Sequence, residues 1–112
     1  MAANTAVFGA VILLLFIALQ FGLWFYGREV AAAAAQHAVD AARVEHGSAD
    51  AGAATAKQYL DQVGGLREST VAVERGDESV TARVHGHPIA IVGFLDPAID
   101  VTITAPVERV VG

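Results

Sequence analysis

The amino-acid sequence predicts an α+β fold in which a long N-terminal helix precedes a shorter helix and a small three-stranded antiparallel sheet. Residues 6–26 form an almost unbroken apolar run, and a proline-free, alanine-rich stretch follows it directly. Beyond Gly65 the spacing of apolar residues changes from the 3.6 of a helix to the 2 of a strand. We therefore expect the first half of the long helix to span a membrane and its second half to project from it.

The apolar run has the length and composition of a membrane span. As a helix it would cover roughly 31 Å, about the thickness of the hydrocarbon core. Thirteen of its residues are Val, Ile, Leu or Phe, and Gln20 is its only side chain with a strong need for hydrogen bonds. Trp24, Phe25 and Tyr26 end the run as an aromatic belt, and Arg28 follows. We assign residues 1–27 to a transmembrane anchor.

A cleaved signal peptide is the alternative interpretation of this segment. Signal peptides have a basic start and an apolar core of about 7–15 residues. Residues 1–5 contain no Lys or Arg and the core is longer, which favours a retained anchor. The charges that flank the span do not determine which end of the chain is cytoplasmic. Arg28 and Arg43 lie among the acidic residues Glu29, Asp40 and Glu45. Arg28 alone would favour a cytoplasmic C-terminus.

Residues 28–47 predict a helical extension of the anchor, since alanine is the best helix former. Polar residues recur at helical spacing on one side, and the remaining circumference is Ala and Val. We expect one continuous helix over about residues 5–46, with the domain standing off the bilayer on a stalk. The alanines at 31–35 reflect helix propensity alone or a close approach between helices. Ala18 and Gly22, four residues apart in the anchor, favour close approach.

Residues 48–112 predict a small α+β domain. Ser48 is a suitable N-cap for a second helix that Gly64 and Gly65 end. Alternating apolar residues predict strands at 70–74, 80–85 and 99–105, the first two joined as a hairpin at Gly76 and Asp77. The apolar residues 89–95 lie in a loop between two prolines. They belong either to the core or to an exposed patch for a partner or the membrane surface.

Composition excludes several classes of function. The net charge is −5 and no Lys/Arg cluster exists, so nucleic acid is not an expected partner. The chain has no cysteine, so it has neither a disulfide framework nor a thiolate metal site. We find no nucleophile elbow, phosphate-binding loop or zinc motif. The sequence therefore predicts no catalytic residues, no cofactor and no small-molecule substrate, and we expect that the protein is not an enzyme.

The histidines of the second strand are the one set that resembles metal ligands. His85 and His87 share a strand face, so both imidazoles could meet one ion. No third ligand is placed to join them, and we expect exposed histidines beside Arg83 that hold no metal. Asp96 and Asp100 flank Pro97, where aspartate is ordinary turn chemistry rather than a catalytic pair.

Residues 20–26, followed by Arg28 and then the alanine-rich residues 30–42, resemble the start of a TadE-like protein of actinobacteria. In that family an apolar helix enters an (E/Q)FG-aromatic-aromatic segment, a basic residue and an alanine-rich helix. A short helix ending in Gly-Gly, Val-rich strands, a proline-bracketed apolar loop and an ending like residues 105–109 are similar too. The resemblance covers nearly the whole chain, and the order of its pieces is more specific than any one of them.

The resemblance implies a pilin-like fold and a pseudopilin or minor pilin of a Tad (tight adherence) type IV pilus or secretion system. It implies a single-pass protein of the cytoplasmic membrane with a cytoplasmic N-terminus and an exported domain. Expected partners are membrane lipid, the Flp pilin, other TadE- or TadF-like proteins and platform membrane proteins. We expect the membrane and assembly contacts to involve Ala18, Gln20, Gly22, Trp24, Phe25, Tyr26 and Arg28.

The chain departs from the family at its start. Family members usually begin with a basic leader and a prepilin-peptidase site followed by an early glutamate, whereas Val7 stands at about that position here. Either the sequence starts late, or this member is unprocessed and acts as a fixed membrane component. The alternative function is a membrane-tethered extracytoplasmic binding or accessory module that does not enter a filament.

Overall fold

A computed structural model describes residues 2–44, 47–91 and 97–107. Within them the chain forms two helices and three strands, the α+β arrangement that the sequence predicts. Helix α1 spans Ala2–Arg43 and α2 spans Ala49–Val63, and the strands are β1 (Leu66–Arg75), β2 (Ser79–Pro88) and β3 (Ile99–Pro106). The predicted helix end at 45–46, the loop residues 92–96 and the resemblance at 108–109 lie outside the described residues.

Helix α1 is continuous through the anchor and the alanine-rich segment, as predicted. Its 42 residues correspond to roughly 63 Å, and the chain is elongated, with extents of 79 × 20 × 17 Å. Among the described residues, α1 is the one helix long and apolar enough to cross a membrane. Nearly all side chains of residues 3–19 are exposed.

Both ends of α2 have the predicted signals. The backbone N–H of Ala51 donates to Ser48 Oγ at 3.0 Å, which caps the first turn. At the other end, Gly64 N–H donates to the Leu60 carbonyl at 2.9 Å. Gly64 and Gly65 have φ of 75° and 92°, a region that favours glycine. The chain can therefore turn directly from α2 into β1.

The strands pair antiparallel in the order β1-β2-β3. The predicted hairpin is confirmed, with Val73 opposite Ala82, and Ala82 in turn lies opposite Ile103. Val80, Ala82 and Val84 are buried, as their alternation predicts. A register shift interrupts β1 between Arg67 and Thr70.

The core lies between the sheet and the second half of α1, so the expected stalk is wrong. Val30, Val39 and the alanines between them on one side of α1 are buried together with β2 and with Ile99 of β3. The polar side of the helix, including Gln36 and Asp40, faces solvent. Residues 28–42 thus form the central helix of the small domain, because their apolar side is buried against the sheet and α2.

A close approach between two helices occurs inside the chain, at alanines beyond the run at 31–35. A Cβ on Gly52 of α2 would lie 2.6 Å from the Ala38 carbonyl oxygen and 3.0 Å from Ala42 Cβ. Small residues on both helices therefore allow near-contact between their backbones.

Candidate membrane and assembly surface

Gln20 forms hydrogen bonds with the loop that follows β2. Its side chain is 3% exposed. Its Nε2 donates to the Ile89 carbonyl at 3.1 Å, and its Oε1 accepts from the Ile91 N–H at 2.8 Å. The amide thus joins the apolar segment of α1 to the loop after β2.

The described part of the apolar loop is exposed. Ile89 and Ile91 are 43% and 46% exposed, whereas Ala90 between them is half-buried. Of the two interpretations of residues 89–95, this part fits an exposed patch. The backbone is held by Gln20 while the two isoleucine side chains face outward.

Trp24 connects the anchor to the core. Its half-buried ring packs against the core and makes an edge-on contact with Phe25, with centroids 5.2 Å apart. The Arg28 guanidinium carbon lies 5.9 Å from the Trp24 ring centre, within the range of a cation–π contact. The indole Nε1–H is buried and donates to no acceptor among the described residues. A cavity of about 50 Å³ lies beside the ring, lined by Gln20, Phe21, Trp24 and Pro97.

The aromatic belt is divided between two environments. Phe25 is 58% exposed, on the side away from the core. Tyr26 is half exposed, but its ring lies against Gly65, where a Cβ would stand 2.8 Å from Tyr26 Cε1. Only part of the belt is therefore available to lipid or to a neighbouring subunit.

Ala18 and Gly22 lie on the side of α1 that faces away from the domain. Each residue turns a helix by about 100°, so both are roughly opposite the buried Gln20. Both are exposed, and outside the adjoining turns of the helix backbone no atom of the described chain comes within 4 Å of a Cβ built on Gly22. With Phe25 they form what we call the open face of α1.

Gly27 makes two close contacts that the sequence does not predict. Gly27 is buried, and a Cβ there would lie 2.8 Å from Ile99 Cδ1 and 3.1 Å from the Gly65 carbonyl oxygen. The sequence offers one indication that Gly27 is buried: it lies on the same side of α1 as the small residues Ala31 and Ala34. The glycine allows the start of β3 to pack where the helix leaves the apolar run.

The histidine pair differs from the expectation of full exposure. His85 and His87 are half-buried, with ring centres 5.9 Å apart, and His87 Nε2 lies 3.9 Å from Glu68 Oε2. In the central strand β2, His85 lies opposite Thr70 of β1 and Asp100 of β3, whereas His87 lies opposite Arg67 of β1. In the described part of the chain, no group of three His, Asp or Glu side chains is placed to hold a metal ion.

Asp100 lies in β3, within the predicted strand at 99–105. Arg83 donates to both of its carboxylate oxygens, and the shortest contact joins Arg83 Nη2 and Asp100 Oδ2 at 2.5 Å. These hydrogen bonds, with smaller contributions from the Arg83 and His85 charges, lower the pKa of Asp100. The same pair raises the pKa of Arg83. The pair links β2 and β3 on the solvent-exposed face of the sheet, which is a structural role.

These features together define a small α+β domain built around the second half of a membrane-capable helix. No protein-family model matches the chain, and no curated protein or solved structure shows detectable similarity to it.

Proposed function

We propose that this protein is a pilin-like structural subunit, a pseudopilin or minor pilin, of a Tad/Flp pilus assembly or secretion system. It acts by assembly rather than by catalysis. Helix α1 anchors it in the cytoplasmic membrane, and the domain of residues 28–107 lies on the extracytoplasmic side. The observation that carries the proposal is the division of α1, which buries one side in its own domain and leaves the open face uncovered.

The open face suits a neighbouring helix. In lipid, helices associate through close packing, and small residues permit that packing. Ala18 and Gly22 provide small side chains, and the exposed Phe25 provides a larger contact one turn further on. Because the domain lies on the opposite side, it does not obstruct a second helix there. The order of sequence elements that resembles TadE-like proteins supports the choice of system.

The proposed topology is tested with reporters fused after Gly112. A reporter that is active only after export should be active, because a pilin-like domain assembles on the outer side. Activity of a cytoplasm-dependent reporter alone would contradict the proposed orientation.

The assembly surface is tested with one substitution at two open glycines. Gly22→Leu places a large side chain on the open face, and leucine also favours the helix. Gly9→Leu is the matched control, since Gly9 is also open but is turned about 220° around the helix from Gly22. We expect Gly22→Leu to abolish recovery of the chain with sheared pili, while both variants stay in the membrane with unchanged melting temperatures.

Normal recovery of Gly22→Leu with the pili would contradict the proposed assembly surface. If the unaltered chain remains in the membrane and never appears in the pilus fraction, the proposal of a filament subunit is wrong. The alternative of a tethered accessory module would then be favoured.

A further inference from the structure

The contact between Gln20 and the loop satisfies polar groups on both partners. The Gln20 amide lies within the apolar residues 6–26, where an unpaired polar group is costly. The Ile89 carbonyl and the Ile91 N–H are backbone groups of a loop and have no strand partner at this point. One side-chain amide bonds both of them. These two hydrogen bonds satisfy the polar groups of both partners without water, as the interior of a bilayer requires.

The same contact determines how deep the loop lies. Gln20 precedes Tyr26 by six residues and Arg28 by eight, which on α1 corresponds to roughly 9 Å and 12 Å. The backbone at Ile89 and Ile91 therefore lies beside the apolar run, on the N-terminal side of the aromatic belt and so deeper in the proposed membrane span. If residues 6–26 span the hydrocarbon core, the loop reaches into the edge of that core.

Among the described residues, the surface of α1 and of the loop at this depth is apolar. Residues 3–27 and 88–91 contain no formally charged side chain. The exposed Ile89 and Ile91 continue the exposed apolar surface of α1, which includes Leu19 and Phe21. Charged groups begin at the next level, where Arg28 is exposed and Arg67 Nε donates to the Pro88 carbonyl at 2.9 Å. Arginines suit the headgroup level, where they can meet lipid phosphates.

We infer that Ile89 and Ile91 form a second membrane contact, entering the bilayer beside α1 at a depth that Gln20 fixes. The partner is lipid acyl chain, because the patch is continuous with the helix surface that faces lipid. The domain is thus seated on the bilayer, with the loop fixed against the anchor. The inference requires α1 to span a bilayer, but it does not require the chain to join a pilus.

The depth of the loop is measured with a spin label on the full chain in phosphatidylcholine vesicles. The chain has no cysteine, so Ile91→Cys gives a single labelling site. Leu19→Cys provides the lipid reference, and Glu78→Cys in the turn between β1 and β2 provides the water reference. Collision of each label with oxygen and with a water-soluble nickel complex reports its surroundings.

We expect the label at Ile91 to resemble that at Leu19, with collision with nickel several-fold weaker than at Glu78 and strong collision with oxygen. Nickel accessibility equal to that at Glu78 would place the loop in water and overturn the inference. Weak collision with both reagents would mean that protein covers the patch, which would also overturn it. The vesicles contain no pilus component, so the result is independent of the proposed function.

The role of Gln20 is tested in the same labelled chain with Gln20→Leu. This change removes both hydrogen bonds to the loop and keeps the anchor apolar. We expect the label at Ile91 to become several-fold more accessible to nickel, with the domain still folded by circular dichroism. An unchanged depth would contradict the claim that Gln20 fixes it. If this variant fails to fold, the label at Ile91 in the otherwise unaltered chain still decides the membrane contact.

Discussion

Gly52 of α2 faces the Ala38 carbonyl of α1 so closely that a Cβ on the glycine would lie 2.6 Å from that oxygen. The neighbouring atom belongs to backbone and cannot rotate away. The spacing of the two helices therefore depends on the absence of a side chain at residue 52, and this gives the first prediction.

Gly52→Ala is expected to destabilise the domain although alanine favours a helix. The added methyl group must push α2 away from α1, and overpacking of this kind costs about 1–3 kcal/mol. Helix propensity offsets at most about 1 kcal/mol of this cost, so we expect a net fall in melting temperature of several degrees, measured on the full chain in detergent. Gly76→Ala is the control, because the nearest atom there is 3.6 Å away. Equal melting temperatures for the two variants would contradict the tight contact.

Gly65→Ala should destabilise the chain more than Gly64→Ala. Both glycines have positive φ, so both variants carry backbone strain of about 1–3 kcal/mol. Only at Gly65 would the new Cβ also meet the Tyr26 ring, at 2.8 Å, whereas the space at Gly64 is open. Thermal unfolding of both variants measures the difference. The contact between Tyr26 and the turn is refuted if Gly64→Ala is the less stable of the two.

The pair of Arg83 and Asp100 should give a stability contribution that disappears in acid. The hydrogen bonds from Arg83 lower the pKa of Asp100 in the folded chain, so the pair stabilises the fold fully above the ordinary carboxyl pKa of about 3.9. That contribution falls as the pH drops through the lower, folded-state pKa. We expect Asp100→Asn to lower the melting temperature at neutral pH and to have less effect with increasing acidity.

An Arg83→Gln background provides the control for this pH dependence. Without the guanidinium, the pH-dependent effect of Asp100→Asn on the melting temperature should shrink to the smaller contribution of the His85 charge. An undiminished pH-dependent effect in this background would assign the low pKa of Asp100 to another cause.

His85 and His87 should bind no structural metal. Structural sites usually need four protein ligands. The acidic residue near His87 is Glu68, and Asp100 opposite His85 is already bound by Arg83. A metal bound to the folded chain would raise its stability by mass action. We therefore expect the same melting temperature with and without a chelator. A clear decrease with chelator, reversed by adding zinc, would show that a metal is held.

The elements of this fold are predictable because each leaves a periodic pattern. Ser48 and the glycines at 64 and 65 mark the limits of α2, and alternation from Val80 to Val84 identifies the buried face of β2. The position of the domain beside α1 is not predictable in this way. A run of alanine is explained by helix propensity as well as by burial. Only the packing of the sheet and α2 against α1 shows that Ala31 and Ala38 are core residues.

The contacts of the anchor residues depend on pairing between distant parts of the chain. Gln20 is separated from Ile89 by 69 residues, and a loop has no period from which such a partner could be inferred. The sequence singles out Gln20 as a polar group in an apolar run, which is the correct signal. Its partner follows only from the fold, which brings the end of β2 beside α1.

Single-cysteine cross-linking on the anchor tests the central claim that the open face of α1 contacts a neighbouring subunit. The chain lacks cysteine, so Gly22→Cys can be joined to neighbours in isolated membranes or pili with a thiol-to-amine or photoactivated reagent. Phe16→Cys is the comparison, because it is turned about 120° around the helix from Gly22 and lies outside the open face, and it too is exposed. We predict cross-linked products that contain pilus subunits from Gly22→Cys and few from Phe16→Cys. Equal yields at both positions, or no product from a correctly inserted Gly22→Cys chain, would contradict the account.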